Sequence, residues 1–326
     1  MDKILTVALS LLLVTSMMLA GCADTDDKNL THTTIVSTTT YQTSTVFNET
    51  VTATKTLIVF PPTTVTYKKG DSVTRWGTEI ILNTDLPEFP DKLNYYATVE
   101  PEVTIELVEE LGAKLGFYGE AGLLNDSIGM SNNEESLKVY TSTGAIVLWG
   151  INKHFELDTQ LTSFENAEEI AIEFVKYIGC RDDNIEFNEV RVGGTVNTTP
   201  SHLVASFNQY IDGYPLVGGA KNFWVRMGMY GTVISAMIWN PELVYAGEVD
   251  CITVQEAYSI LLSGNALEFM VSSESQILIN EVSIGYYLED MTELQDYVMP
   301  VYVFEGERVY SDRDNEIFRC YVEAAK

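Results

Sequence analysis

Positive charge is what this chain has least of: 19 lysines and arginines stand against 47 aspartates and glutamates, for a formal charge of -28. Such a surface repels polyanions and anionic headgroups, which excludes nucleic acid and electrostatic adhesion to lipid. Histidine is scarce too, with only His32, His154 and His202. There is no His-Glu-x-x-His pair for zinc, no Gly-x-Ser-x-Gly elbow, no phosphate loop and no Ser-x-x-Lys. The four cysteines include no Cys-x-x-Cys spacing, the arrangement that redox or zinc chemistry would use. No catalytic residue, metal or cofactor is therefore expected from motifs, although catalytic triads are defined by geometry and not by sequence position.

What the chain does have begins at its N-terminus. Lys3 precedes an apolar run over residues 4–19 that is short and interrupted by Thr and Ser, and the run closes on Leu19-Ala20-Gly21-Cys22. That tetrapeptide resembles the lipobox of bacterial lipoproteins. The resemblance implies a signal peptide at residues 1–21, removed to leave Cys22 lipidated (diacylglycerol and palmitate), and a protein held at the extracytoplasmic face of the cell membrane. Residues 22–68 read as a disordered tether, because 15 of the 36 positions from Thr31 to Thr66 are threonine and no structural period persists. As a flexible coil, such a tether has a reach of roughly 35–40 Å. Of the other cysteines, Cys180 follows an apolar helical stretch and reads as a buried small hydrophobe. Cys251 and Cys320, both in the last third, either pair or stay as two buried thiols.

Three helices are predicted after the tether, each entered by a threonine. Thr104 opens a helix through Leu115, with Leu107, Val108, Leu111 and Leu115 at helical spacing. Thr162 with Glu165, and Thr253 with Glu256, have the Thr-x-x-Glu form of a capping box. Gly116, Gly179 and Gly264 stand where helix-ending glycines belong. After each helix the period changes to two. Hairpins are predicted around Ser142-Thr143-Gly144, Asp212-Gly213, Tyr230-Gly231 and Glu305-Gly306-Glu307. The implied fold class is α+β: two to three divergent units of one helix packed on an antiparallel sheet. Their boundaries are residues 69–158, 159–246 and 247–326.

The stretch Phe207-Asn-Gln209-Tyr-Ile-Asp-Gly213-Tyr-Pro215-Leu-Val-Gly218-Gly, followed by a strand and Tyr230-Gly231-Thr-Val233, resembles the core of PepSY and peptidase-propeptide domains. Tyr286-Tyr287 with Val298-Met-Pro300-Val-Tyr302-Val-Phe304-Glu-Gly306 is similar to the C-terminal segment of YycI-like regulatory proteins. The resemblance implies a PepSY- or cystatin-like helix-on-sheet fold, with residues 159–246 as the PepSY-like unit and 247–326 as the YycI-like one. Its motifs are turn and packing residues, which speak for fold more than for activity.

Acidic pairs such as Glu109-Glu110 and Glu168-Glu169 read as solvated helix faces, and Asp312-Arg-Asp314-Asn-Glu316 as a hairpin turn in preference to a calcium loop. His154 and His202 read as surface or edge-strand residues. Aromatic side chains carry more information, since neighbours such as Phe223-Trp224 and Tyr286-Tyr287 must point to opposite faces of a regular strand. Trp224, Tyr286 and Tyr287 are therefore the candidate partner-binding residues. The function that follows is a lipid-anchored extracytoplasmic binding or regulatory protein that controls a protein partner of the cell envelope, a peptidase or a sensor. A cell-envelope hydrolase and the solute-binding lipoprotein of a transporter are the alternatives.

Overall fold

The computed structural model describes residues 35–42, 52–59, 66–75, 77–131, 135–150, 161–180, 184–196, 199–219, 223–269 and 275–326. Cys22, His32 and His154 lie outside these. Two compact units divide the chain, residues 1–65 and 66–326. In the first, β1 (Ile35–Gln42) pairs antiparallel with β2 (Thr52–Val59), Ile35 opposite Val59 and Gln42 opposite Thr52. This part of the threonine-rich segment, expected to hold no strand, forms a ladder. The physical reason is that Thr, Val and Ile are stiff at χ1 and suit a pleated surface.

The second unit begins with β3 (Ser72–Arg75), β4 (Thr78–Leu82) and β5 (Lys92–Thr98), then α1 (Ile105–Lys114). Next come β6 (Gly122–Leu123), β7 (Ser127–Ser131), β8 (Ser136–Tyr140), β9 (Ile146–Trp149) and α2 (Phe164–Tyr177). A run of strands follows: β10 (Ile185–Val196), β11 (Thr199–Ile211), β12 (Tyr214–Gly218), β13 (Trp224–Met227), β14 (Val233–Ile238) and β15 (Leu243–Asp250). The chain closes with α3 (Val254–Ser263), β16 (Ser275–Leu288), β17 (Tyr297–Tyr310) and β18 (Glu316–Glu323).

These sixteen strands form one connected sheet, and this overturns the expected series of small helix-on-sheet units. Its main path runs β15-β5-β17-β16-β12-β11-β13-β14-β9-β8-β7-β6. Strands of the first expected unit are shared between the two ends: β4 lies beside β16 and β5 between β15 and β17, while β8 and β9 extend the sheet from β14. Nor is the sheet purely antiparallel, because β12 and β4 both run parallel to β16. A second correction concerns Gly306, placed by its sequence in a turn. It sits inside β17, where a Cβ would meet the Leu278 carbonyl oxygen at 1.7 Å, so the glycine permits close strand approach instead of reversing the chain. Residues 311–315 make the β17–β18 connection, as the hairpin reading of Asp312–Glu316 expects.

Helix ends follow local chemistry. Thr104 caps α1 and Thr253 caps α3, where Glu256 Oε2 accepts the Thr253 N–H at 2.7 Å to complete the capping box. For α2 the cap is Ser163, whose Oγ accepts the Asn166 N–H at 3.2 Å, and not Thr162 one residue earlier. Gly264 ends α3 in the left-handed conformation at φ 83°. Buried Val108 and Leu111 of α1, with Ala167, Ala171 and Val175 of α2, cover one face of the β7–β11 and β13–β14 end. Val254, Ala257, Tyr258 and Leu261 of α3 cover the end built on β16, β17 and β18. A third core, with Tyr96, Tyr140, Trp239, Tyr286 and Leu288, joins strands of both ends.

The Asp212-Gly213 reversal is held in that middle region. Ile211 pairs with Tyr214, so the loop has two residues, and both have positive φ (51° and 79°), as a type I′ hairpin turn requires. Tyr96 donates its hydroxyl proton to the Asp212 carboxylate, and Asn94 Nδ2 donates to Asp212 Oδ2 at 2.6 Å. Burial and that carboxylate push the Tyr96 phenol up to about 12. The turn tip is thereby clamped to β5.

Candidate functional site

Cross-strand register sorts the β8–β11 and β13–β14 side chains onto two faces. Leu137, Leu148, Ala236, Val225 and Ala205 face the helices as one row. One residue along, the row Ser136–Trp149–Ser235–Arg226–Val204–Arg191 crosses the opposite face, and beside it runs Lys138–Val147–Met237–Trp224–Ser206–Glu189. Val147 and Met237 pack into the middle core, so the rows are covered there. Trp149 and Arg191, on the first of these rows, are exposed among the described residues.

There the Arg226 guanidinium lies 5.1 Å from the Trp224 ring centroid and 5.6 Å from that of Trp149. Trp149 is 51% exposed. Arg226 makes no hydrogen bond or ion pair within the described residues, although the chain carries 47 carboxylates. Arg191, exposed on the same row, has no ion pair among them either. Lys138 is different: it sits 3.2 Å from Asp126 and over the Tyr140 ring.

Three polar atoms on this face are buried without a hydrogen-bond partner among the described residues: Arg226 Nε, Ser235 Oγ and His202 Nε2. Ser235 is directly opposite Arg226, and His202 is two residues before Val204 on β11. The imidazole fits because position 193 is glycine, where a Cβ would come within 2.2 Å of His202 Nε2 and 2.6 Å of Val204. Ser201 Oγ lies 2.8 Å from His202 Nδ1. Burial first, and then the Arg226 charge, lower the His202 pKa, so the ring stays neutral at pH 7. The Gly193 carbonyl pulls weakly the other way without meeting hydrogen-bond geometry. Burial also lowers the Arg226 pKa from its ordinary value.

Of the aromatic candidates read from sequence, Trp224 belongs to this face. Tyr286 does not: it is 1% exposed, and its hydroxyl donates to the Asn94 carbonyl at 3.0 Å within the middle core. Tyr287 is half-buried against Tyr321 at 5.2 Å between centroids and donates to Glu268 at 3.1 Å. Both faces of β16 carry a core: Tyr286 packs into the middle core and Tyr287 against Val217, Val301, Val303 and Tyr321, so neither ring is left open. His202 also departs from its reading as an edge residue, since β11 lies between β10 and β13. Cys251 and Cys320 are free thiols of the α3 core, both pushed up in pKa by burial. Half-buried Cys180 packs against the core beneath α2.

A cleft of about 640 Å³ opens at the C-terminal end of α2, bordered by Glu100, Glu102, Glu242, Asn184 and Cys180. Among the described residues, no cluster of three or more His, Cys, Asp or Glu is placed to hold a metal ion. Within them, too, no helix is long and apolar enough to cross a membrane.

No protein-family model matches the chain, and no curated protein matches it. Among solved structures it is similar to the crystal structure of an uncharacterized protein from Eubacterium rectale ATCC 33656, at 12% identity and a TM-score of 0.40. The match covers 78% of this chain and 90% of the other.

Proposed function

We propose that the chain is a lipid-anchored extracytoplasmic binding protein that controls a protein partner at the membrane surface, docking it on the sheet face around Trp149, Trp224 and Arg226. One observation carries the choice of face: a guanidinium set against two tryptophan rings, without an ion pair among the described residues, in a chain of charge -28. Trp and Arg dominate binding energy where they are desolvated on a partner's arrival, because both present large flat surfaces with a polar edge. The Leu19-Ala20-Gly21-Cys22 motif supports the anchor, and the length of residues 22–68 supports reach toward a partner held in the same membrane.

The test is photocrosslinking from position 149, with a benzophenone amino acid in place of Trp149 in the full-length protein in its own membranes. A single crosslinked partner that disappears on Arg226→Gln is expected, with no such product from a probe at Tyr230, which is 73% exposed. Equal products from both positions would count against the face. Intact mass of the membrane form tests the anchor, and a mass without diacylglycerol on Cys22 would remove it.

A further inference from the structure

We infer that the cleft at the C-terminal end of α2 is a second binding site and that its ligand is an aliphatic polyamine. The cleft is separate from the docking face, since Ile146 and Ile238 in its lining belong to the side of the sheet that the helices cover. Its volume of about 640 Å³ falls within the roughly 300–1,000 Å³ of sites that take small organic molecules. The chemistry of its wall narrows the class. Glu100, Glu102 and Glu242 supply three carboxylates, and no lysine, arginine or histidine among the described residues lines the cleft. Because α2 ends on it through Ile178, Gly179 and Cys180, the negative end of the helix dipole adds to the same field. Such a wall favours a cation. Yet, among the described residues, these carboxylates are not drawn together into a cluster that could hold a metal ion. Negative charges spread around one space are matched by positive charges that are themselves spread, and ammonium groups along a chain provide them.

A second observation points to a hydrogen-bond donor, independently of charge. Gln209 is 1% exposed and is bracketed by lining residues. On one side Asn184 accepts the Tyr210 N–H at 2.8 Å, and on the other Gln209 Nε2 donates at 2.5 Å to the Trp239 carbonyl, between Ile238 and Asn240. The Gln209 amide therefore belongs to the inner wall of the cleft. Its Oε1 is buried and has no hydrogen-bond partner among the described residues. A carbonyl oxygen only accepts, so an N–H or O–H donor completes it, and a primary ammonium carries three. The rest of the lining suits the stem of the ligand. Ile146, Ile178, Ile238 and Leu243 offer apolar surface against which methylene groups leave water while the ammonium heads stay among the carboxylates. An inorganic cation makes no use of that surface, whereas a polyamine uses the acidic rim, the buried acceptor and the apolar wall together.

The experiment titrates the full-length protein in detergent with spermidine by calorimetry, at physiological salt so that the diffuse charge of the surface is screened. Saturable one-to-one binding is expected. Hexanediol, which has the methylenes without the charge, should give no heat, and magnesium, which has the charge without the methylenes, should not displace spermidine. Glu100→Gln combined with Glu102→Gln should weaken spermidine about tenfold. Asp312→Asn combined with Asp314→Asn makes the same change of charge on exposed residues of the β17–β18 connection and should leave the affinity unchanged. Gln209→Met removes the buried acceptor at similar size and should weaken binding about threefold or more, and the two exposed double variants keep the comparison intact if this buried change unfolds the chain. Equal weakening by the two double variants would mean binding to diffuse surface charge and overturns the site. Displacement by magnesium overturns it as well, as does the absence of saturable spermidine binding. Tighter binding of acetyl-Lys-Leu-Lys-amide than of spermidine would make the ligand a lysine-bearing peptide and overturn the polyamine.

Discussion

Three atoms of the proposed docking face, Arg226 Nε, Ser235 Oγ and His202 Nε2, are buried without hydrogen bonds among the described residues, and a buried group left unpaired costs about 1–3 kcal/mol relative to a satisfied one. His202 adds a pH dependence whose sign is fixed. Its pKa in the folded protein lies below the ordinary 6.5, so the unfolded chain binds the proton first and stability falls as pH drops through about 6.5 toward the folded value. Denaturation midpoints at pH 7.5 and 5.5 should therefore fall more steeply for the wild type than for His202→Gln, and parallel slopes would contradict the assignment. Two glycines give further tests. Gly213→Val, at φ 79° with open space around it, should cost about 1 kcal/mol or more from backbone strain alone, read as a lowered midpoint. Gly193→Ala acts by another route, because the new methyl would displace the His202 ring. It should cost about 1–3 kcal/mol and change Trp emission, which Gly213→Val should not. The first of these positions was legible as an Asp-Gly turn, whereas Gly193 was not, since nothing local signals a ring from the next strand.

At the level of single elements, local rules succeeded where the interaction is local. Thr253 and Glu256 satisfy each other across one helical turn, so their spacing alone announces the box. Thr253→Ala should cost about 1 kcal/mol, and Thr162→Ala should cost much less because Ser163 holds the α2 cap, an inequality that urea denaturation of the pair checks directly. Alternation at the entry to β13 holds: Phe223, just before the strand, is fully buried and Trp224, on the opposite face, is half-buried, as period two requires. It failed for Tyr286 and Tyr287 because β16 carries a core on each face, a fact that belongs to the layering of the whole molecule and not to the strand. Gly306 failed for a similar reason: glycine inside a strand and glycine in a turn look alike in sequence, and only the approach of β16 distinguishes them.

Across the whole molecule, strand order is the feature that sequence left hidden. Helix-then-hairpin succession predicts closed local units, yet β4 and β5 join strands nearly 200 residues later, and hydrophobic patterning carries no label for so distant a partner. Arg226 and Trp149 meet for the same reason: β9 and β13 both flank β14, although 77 positions separate the two residues. The site was therefore legible only at Trp224, and its other members came from register. Oxidative footprinting of tryptophan in intact membranes, compared with the purified full-length protein, tests the docking face most directly. Trp149 should be protected in membranes and oxidised after purification, while exposed Tyr118 and Tyr230 react equally in both. Equal oxidation of Trp149 in the two preparations would contradict a partner on this face.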